Sequence, residues 1–197
     1  MAYKHFKPGQ YQECEARDYR CFKEFRDASP IAATLFKDFY PTGVGDTFDI
    51  QAFNITGGTS NVELKLRRED AEKFNDCWIE KGKYERLMER WNAGGYFPVY
   101  INFIGGASNI YMWLLPEVGM KNIHRNVTVT SQDGTSYTED KYGLLWKDAY
   151  HFIEGELVAA PEMLIRNRRK AVKTDRTPQE IENIRITNEV YLGIENN

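Results

Sequence analysis

Cysteine is scarce in this 197-residue chain, which contains only Cys14, Cys21 and Cys77. Their number is odd and no C-x-x-C pair occurs, so the sequence indicates neither a disulfide framework nor a zinc site. Cys14 and Cys21 lie seven residues apart, a spacing that places them on one face of a helix. We therefore expect buried thiols rather than a reactive or metal-binding set.

Long apolar runs are also missing. No stretch approaches the roughly 18 consecutive apolar residues of a transmembrane helix, and the N-terminus lacks the pattern of a secretory signal. The sequence therefore predicts a cytoplasmic protein with no membrane partner.

A third shortage is positive charge. The 26 Lys and Arg residues are outnumbered by 29 Asp and Glu residues, for a formal net charge of −3. Because non-specific nucleic-acid binders of high affinity depend on basic surfaces, DNA binding would have to use a local patch. The most basic run, RNRRK, supplies four candidate phosphate contacts, with a solvated helix end as the alternative. These candidates are Arg166, Arg168, Arg169 and Lys170.

The chain does have enough apolar material for a core. Hydrophobic residues make up 42% of the sequence and aromatic residues 14%, which at this length predicts one domain over residues 1–197. Hydrophobic periodicity and turn signals predict its elements. They are a helix at 11–27, a connection at 31–43, a mainly helical segment at 69–92 interrupted by Gly82, a buried strand at 96–104 with a partner at 110–115, a hairpin at 125–131 and 135–138 around Asp133-Gly134, and a C-terminal helix after the capping box at 177–180.

The most informative stretch, Val44 to Arg67, reads as a β-hairpin around Gly57-Gly58. Apolar and polar residues alternate in both strands, as in half-buried strands. The predicted core faces carry Phe48, Ile50 and Ala52 on the first strand and Val62, Leu64 and Leu66 on the second. The predicted polar faces carry Thr47, Asp49 and Gln51 on the first strand and Asn61, Glu63, Lys65 and Arg67 on the second.

Two registers of this hairpin keep both apolar faces on one core. A loop centred on Gly57 places Asp49 opposite Lys65 and Glu63 opposite Gln51. A loop centred one residue earlier places Asp49 opposite Glu63. In either register the two carboxylates are direct or diagonal neighbours, with Cβ atoms roughly 5–8 Å apart. Asp46 has the opposite parity, so we expect it to belong to the turn before the strand.

Two neighbouring carboxylates repel each other unless a cation lies between them or one is protonated. Carboxylate oxygens with a backbone carbonyl and waters suit Mg²⁺ or Mn²⁺. Such a metal polarises a phosphate and activates a bound water. Lys65 would then orient or deprotonate that water, or neutralise charge developing on the phosphate. The alternative is that an E-x-K pair on a strand is only a solvated surface pair.

The order of helix, hairpin with Asp49, E-L-K at 63–65, helix and apolar strand resembles the PD-(D/E)XK nuclease superfamily. The resemblance covers roughly residues 10–115. It implies an α/β fold with a restriction-endonuclease-like αβββαβ core, in which helices flank a mixed central sheet. Residues 116–197 would form a C-terminal β/α extension. No proline precedes Asp49, which departs from the full motif.

The resemblance also implies the roles of individual residues. Asp49 and Glu63 would ligate the metal with the carbonyl of Leu64, and Lys65 would be the motif lysine. The first helix often supplies another acid in this superfamily, which makes Glu15 a candidate accessory residue, although a solvated helix Glu is the alternative. Gln51 and Lys83 are further candidate accessory residues. His5, His124 and His151 have no visible partner, so a His-led nuclease motif is disfavoured.

These observations together predict an Mg²⁺-dependent endo- or exodeoxyribonuclease acting on DNA, with a phage or mobile-element origin. It would work alone, as a homodimer or as a subunit of a larger complex. A rival hypothesis is a non-catalytic interaction module that keeps the fold and binds no metal. In a third hypothesis a different sheet fold carries Glu63 and Lys65 as an ordinary surface pair, and Asp49 does not converge with Glu63.

Overall fold

A computed structural model describes residues 10–43, 46, 48–94, 96–118, 124–130 and 136–161. The described part of the chain starts with two consecutive helices, α1 (Gln10–Ala28) and α2 (Pro30–Leu35). Ser29 separates them, and its side chain accepts a hydrogen bond from the Ala32 N–H, which caps α2. The predicted first helix is confirmed, whereas the predicted connection at 31–43 contains most of α2 and a strand, Asp38–Pro41.

Within the described ranges, ten strands and one more α-helix follow. In chain order they are β1 (Asp38–Pro41), β2 (Ile50–Phe53), β3 (Thr59–Arg67), β4 (Asp76–Glu80), α3 (Lys81–Asn92), β5 (Phe97–Ile104), β6 (Asn109–Leu114), β7 (His124–Thr130), β8 (Ser136–Leu145), β9 (Tyr150–Ile153) and β10 (Glu156–Ala159). Seven of them form the central sheet in the order β1-β2-β3-β5-β6-β9-β10. Its β3–β5 pair is parallel and its other pairs are antiparallel, so the sheet is mixed.

Two apolar clusters cover the two faces of this sheet. On one face, Phe22 and Phe25 of α1 pack in a cluster with Val62 and Leu64 of β3. On the other face, a second cluster joins the sheet to α3 and to the small antiparallel sheet β4-β8-β7. Helices thus flank a mixed central sheet, as expected. The order α1, β1, β2, β3, α3, β5 reproduces the predicted αβββαβ core, with α2 and β4 as additions.

The segment predicted as mainly helical, 69–92, is helical only in its second half. It contains a 3₁₀ turn, Ala71–Lys73, and then β4 before α3 begins at Lys81. β4 exists because it pairs with β8 far along the chain, a contact that local periodicity does not report. Gly82 lies inside the first turn of α3 and does not divide the segment.

The strand predictions elsewhere are confirmed by β5, its antiparallel partner β6 and the β7–β8 hairpin. The predicted turn residues Asp133-Gly134, the basic run at 166–170 and the C-terminal helix lie outside the described residues. Of the helices in the described ranges, none combines the length and the apolar character needed to cross a membrane.

The β9–β10 hairpin packs against α1. The Phe25 and Phe152 rings lie 5.0 Å apart between centroids in an edge-to-face arrangement. Gly155, in the turn of this hairpin, has a φ of +84°, and a Cβ atom there would lie 2.6 Å from the Ala28 carbonyl oxygen. Both features require glycine at this position. The C-terminal strands therefore complete the core that α1 begins.

Candidate metal and phosphodiester site

The register of the β2–β3 hairpin is the one predicted for a loop centred one residue before Gly57, although the pairing ends at Ile50 and does not include Asp49. Ile50 pairs with Val62 and Gln51 with Asn61. The loop has five residues, 54–58, and the Asn54 side chain accepts hydrogen bonds from the Thr56 and Gly58 backbone N–H groups. Gly57 has a φ of +84°, so this loop uses glycine where the sequence predicts it.

The chain leaves regular strand geometry just before Ile50. The Asp49 N–H donates to the Val62 carbonyl, although Ile50 is the residue paired with Val62. Phe48 therefore packs in the second cluster, away from Ile50, and its predicted face is wrong. Asp46 is exposed and accepts the Gly43 N–H, so it belongs to the turn as expected.

Beyond Val62, no strand in the described ranges pairs with the β2 side of β3. The Asp49 side chain takes that place, because its Oδ2 accepts the Leu64 N–H at 2.8 Å. Since the N–H and C=O of one strand residue point to the same edge, the Leu64 carbonyl faces this edge too. We call this segment, Glu63 to Leu66 on its β2 side, the open edge of β3.

Glu63 lies on the face of β3 that α3 covers, and only 2% of it is exposed. Its Oε1 forms an ion pair with Lys83 Nζ from α3, and its Oε2 has no hydrogen-bond partner among the described residues. Burial raises the pKa of Glu63 to about 8, against the opposing effect of Lys83. The oxygen without a partner and the raised pKa indicate that the described side chains compensate the negative charge of Glu63 only in part.

Two lysines, Lys83 and Lys65, interact with the negative charge of Glu63. Burial disfavours the Lys83 ammonium, but Glu63, Glu80 and Asp49 together raise its pKa, which keeps it charged. Lys65 is half-buried, and its charge opposes the rise in the pKa of Glu63. Together with Lys83 it also lowers the pKa of Glu80 against the effect of burial. The structure therefore brings Lys83, predicted as accessory, into direct contact with Glu63, while the motif lysine Lys65 lies nearby.

Sequence reasoning missed Asp18 of α1. Burial raises the pKa of Asp18 to about 6, while Lys65 and the Leu66 backbone N–H favour its ionised form. Its Oδ1 is buried without a hydrogen-bond partner in the described part of the chain. The available signal was the helical spacing of Asp18 with the core residues Phe22 and Phe25. Glu15, the predicted helix acid, is half-buried one turn earlier.

The remaining predicted residues lie elsewhere. Gln51 is half-buried and pairs with Asn61, so the register that places it opposite Glu63 does not occur. The candidate phosphate contacts in the basic run fall outside the described residues.

The donors at the open edge fit a hard divalent cation with few protein ligands. Within the described ranges no three His, Cys, Asp or Glu side chains cluster closely enough to hold a metal. Asp49 and Glu63 nevertheless supply two carboxylates, the Leu64 carbonyl a third oxygen, and Glu63 Oε2 lacks a partner. Mg²⁺ is often held by one or two carboxylates and keeps several waters.

No family model matches this chain, and no curated protein sequence matches it. Among solved structures, it is similar to a Holliday junction resolvase, Hjc from the archaeal hyperthermophile Archaeoglobus fulgidus, solved at 1.6 Å resolution. The two share 13% sequence identity with a TM-score of 0.40, and the match covers 68% of this chain and 91% of the resolvase.

Proposed function

We propose that this protein is a metal-dependent nuclease that hydrolyses DNA phosphodiester bonds. The observation that carries the proposal is the open edge of β3, where Asp49 replaces a missing strand and Glu63 keeps one buried oxygen without a partner. Asp49, Glu63 and the Leu64 carbonyl would hold Mg²⁺ or Mn²⁺. When bound, the metal supplies Lewis-acid polarisation of the phosphate and a more acidic water.

The side chains around these ligands have separate roles. Lys83 holds Glu63 through Oε1 and leaves Oε2 directed to the cation. Lys65 neutralises charge that develops on the phosphate and orients the attacking water. Asp18 is a positioning residue, because its carboxylate interacts with Lys65 and with the Leu66 backbone rather than with the reacting atoms. Lys83 thus positions the Glu63 carboxylate, and Lys65 acts on the phosphate and the attacking water.

A calorimetric Mn²⁺ titration tests the proposal, with cleavage of plasmid and single-stranded DNA measured on the same samples. We expect wild type to bind Mn²⁺ and cut DNA, and Glu63→Gln to lose both properties. Glu89→Gln, on the exposed part of α3, is the matched control and should behave as wild type. A wild-type protein that binds no Mn²⁺ would contradict the proposal.

One observation favours a second candidate, a non-catalytic interaction module. The Lys83 ammonium already forms an ion pair with Glu63, so part of the Glu63 charge is compensated without a metal ion. This candidate predicts that neither wild type nor Glu63→Gln binds Mn²⁺ or cuts DNA. The same titration therefore separates the two functions.

A further inference from the structure

We propose that the metal site extends along β3 to Asn61, whose side-chain oxygen accepts a hydrogen bond from a water bound to the cation. This inference rests on the proposed function and adds a residue to its metal site. Asn61 lies two residues before Glu63 on the same strand. It is a positioning residue in this proposal, because it acts on the ion through a water.

Asn61 and Glu63 lie side by side on one face of β3. Residues two apart on a strand share a face, and the pairing of β3 with β5 is regular from Ser60 to Arg67. The intervening Val62 packs in the cluster on the α1 side, so Asn61 and Glu63 face the α3 side. At about 3.3 Å per strand residue, their Cα atoms are roughly 6.6 Å apart.

Both side chains are buried, and each has one oxygen without a partner. Only 1% of Asn61 and 2% of Glu63 is exposed. Among the described residues, neither Asn61 Oδ1 nor Glu63 Oε2 has a hydrogen-bond partner. An unpaired buried acceptor destabilises a protein, and the large majority of buried polar groups bond to protein or to ordered water. Two such oxygens at neighbouring positions of one face therefore indicate a common ligand.

One hydrated cation accounts for both oxygens. Glu63 Oε2 takes the ion, while Lys83 keeps Oε1 engaged. Mg²⁺ lies about 2.1 Å from its ligands and usually keeps several waters, and a water reaches an acceptor roughly 2.8 Å further on. This reach of about 7 Å at most covers the spacing of the two side chains. Asn61 Oδ1 is an acceptor at that position.

A neutral amide suits this place better than another acid. A further carboxylate beside Glu63 would add repulsion between like charges in the metal-free protein. An amide oxygen has two lone pairs and accepts from a water without adding charge. Groups that bond to the ligands of a metal fix their orientation, and losing one typically lowers metal affinity by about 10–100-fold.

Mn²⁺ affinity and metal-free stability, measured on the same variants, test the inference without a cleavage assay. Asn61→Leu keeps the approximate size of the side chain and removes its oxygen. We expect this variant to bind Mn²⁺ about tenfold more weakly in calorimetric titrations. Its metal-free melting temperature should not fall, because the unpaired acceptor is gone. An asparagine that serves only the fold predicts the reverse, an unchanged affinity with a lower melting temperature.

Two further variants complete the test. Asn61→Asp retains an oxygen at the same position, so it should bind Mn²⁺ at least as tightly as wild type, although the added buried charge should lower its metal-free melting temperature. Ser60→Ala is the matched control, because Ser60 is the adjacent buried residue on the opposite face, and it should keep the wild-type affinity. Wild-type affinity in Asn61→Leu, or an equal loss in Asn61→Asp, would overturn the inference.

The two proposals fail in different ways. If wild type binds Mn²⁺ with this dependence on Asn61 but cuts no DNA, the nuclease proposal is wrong and the role of Asn61 stands. If wild type binds Mn²⁺ and cuts DNA while Asn61→Leu binds the ion equally well, the role of Asn61 is wrong and the nuclease proposal stands. A wild-type protein that binds no Mn²⁺ overturns both.

Discussion

The two halves of β3 differ in the groups that form hydrogen bonds with the strand backbone on its β2 side. From Ser60 to Val62 the strand pairs with β2 on one edge and with β5 on the other. Beyond Val62 the pairing with β5 continues, but on the other edge a side chain, Asp49, accepts the Leu64 N–H. On this edge, the first half of β3 thus bonds to the backbone of β2, and the second half bonds to the side chain of Asp49.

This difference matters because a carboxylate is a different acceptor from a strand carbonyl. A carbonyl in a ladder is occupied by its partner N–H, whereas a carboxylate has two oxygens with about four lone-pair sites. Asp49 can therefore satisfy the strand and still offer oxygen to a cation. The loss of one strand pairing thus leaves the Asp49 carboxylate at the place next to Glu63 where we propose a metal ligand.

The largest expected effect comes from separating the two roles of Asp49. Asp49→Asn keeps an oxygen acceptor for the Leu64 N–H but removes the charge, so DNA cleavage should fall by at least about 100-fold with little loss of stability. Asp49→Ala removes both, and should also lower the free energy of unfolding by about 1–3 kcal/mol. Cleavage assays and urea denaturation measure the two effects. Equal stability of both variants would show that Asp49 does not close the edge.

The next effect concerns the ion pair that α3 makes with the open half of β3. Lys83→Met leaves Glu63 buried without its cation and should lower the free energy of unfolding by about 2–3 kcal/mol. This is less than a fully buried pair would lose, because 26% of the Lys83 side chain is exposed. Adding Glu63→Gln should recover most of the loss, since the unpaired charge is then gone. Additive effects in urea denaturation at neutral pH would contradict this coupling.

The smallest effect is a pH dependence of the metal-free protein. The pKa of Glu63 rises from 4.5 to about 8 on folding and that of Asp18 from 3.8 to about 6. The folded state then holds protons that the unfolded state has released, so stability falls as pH rises through these windows. We expect the melting temperature to drop as the pH rises from 5 to 8.

Two variants show which acid causes each part of this pH dependence. Glu63→Gln should remove the fall above about pH 6, and Asp18→Asn should remove part of the fall below it. Glu15→Gln, also on α1, is the control and should retain the wild-type profile. A melting temperature that rises between pH 5 and 8 in wild type would show that these acids are not destabilised by burial.

Local patterns were enough to predict the central part of the site. Alternation in the hairpin placed Val62 and Leu64 in the core and Glu63 on the opposite face, and the structure has this arrangement. It did not decide the register, because both registers preserve the parity of the faces. The five-residue loop that Asn54 organises decides it, through side-chain hydrogen bonds that residue spacing does not report.

Two further residues of the site come from other elements, and of these the sequence predicted Lys83 as accessory but not Asp18. Asp18 comes from α1 and Lys83 from α3, and each depends on how a helix packs across a face of the sheet. Phe48 was assigned to the wrong face because alternation assumes a regular strand, and the strand begins only at Ile50. Strand β4 was missed because its partner β8 is distant in sequence. In each case a long-range contact outweighs the local preference.

The packing of Phe25 against Phe152 has a consequence for synthesis of the chain. Helix α1 leaves the ribosome early, but Phe152, whose ring packs against Phe25, is translated only with β9. At about 5–20 residues per second, that interval is on the order of ten seconds. During this time the apolar face of α1 stays incompletely covered, so the nascent chain is a substrate for chaperones until its last described strands are made.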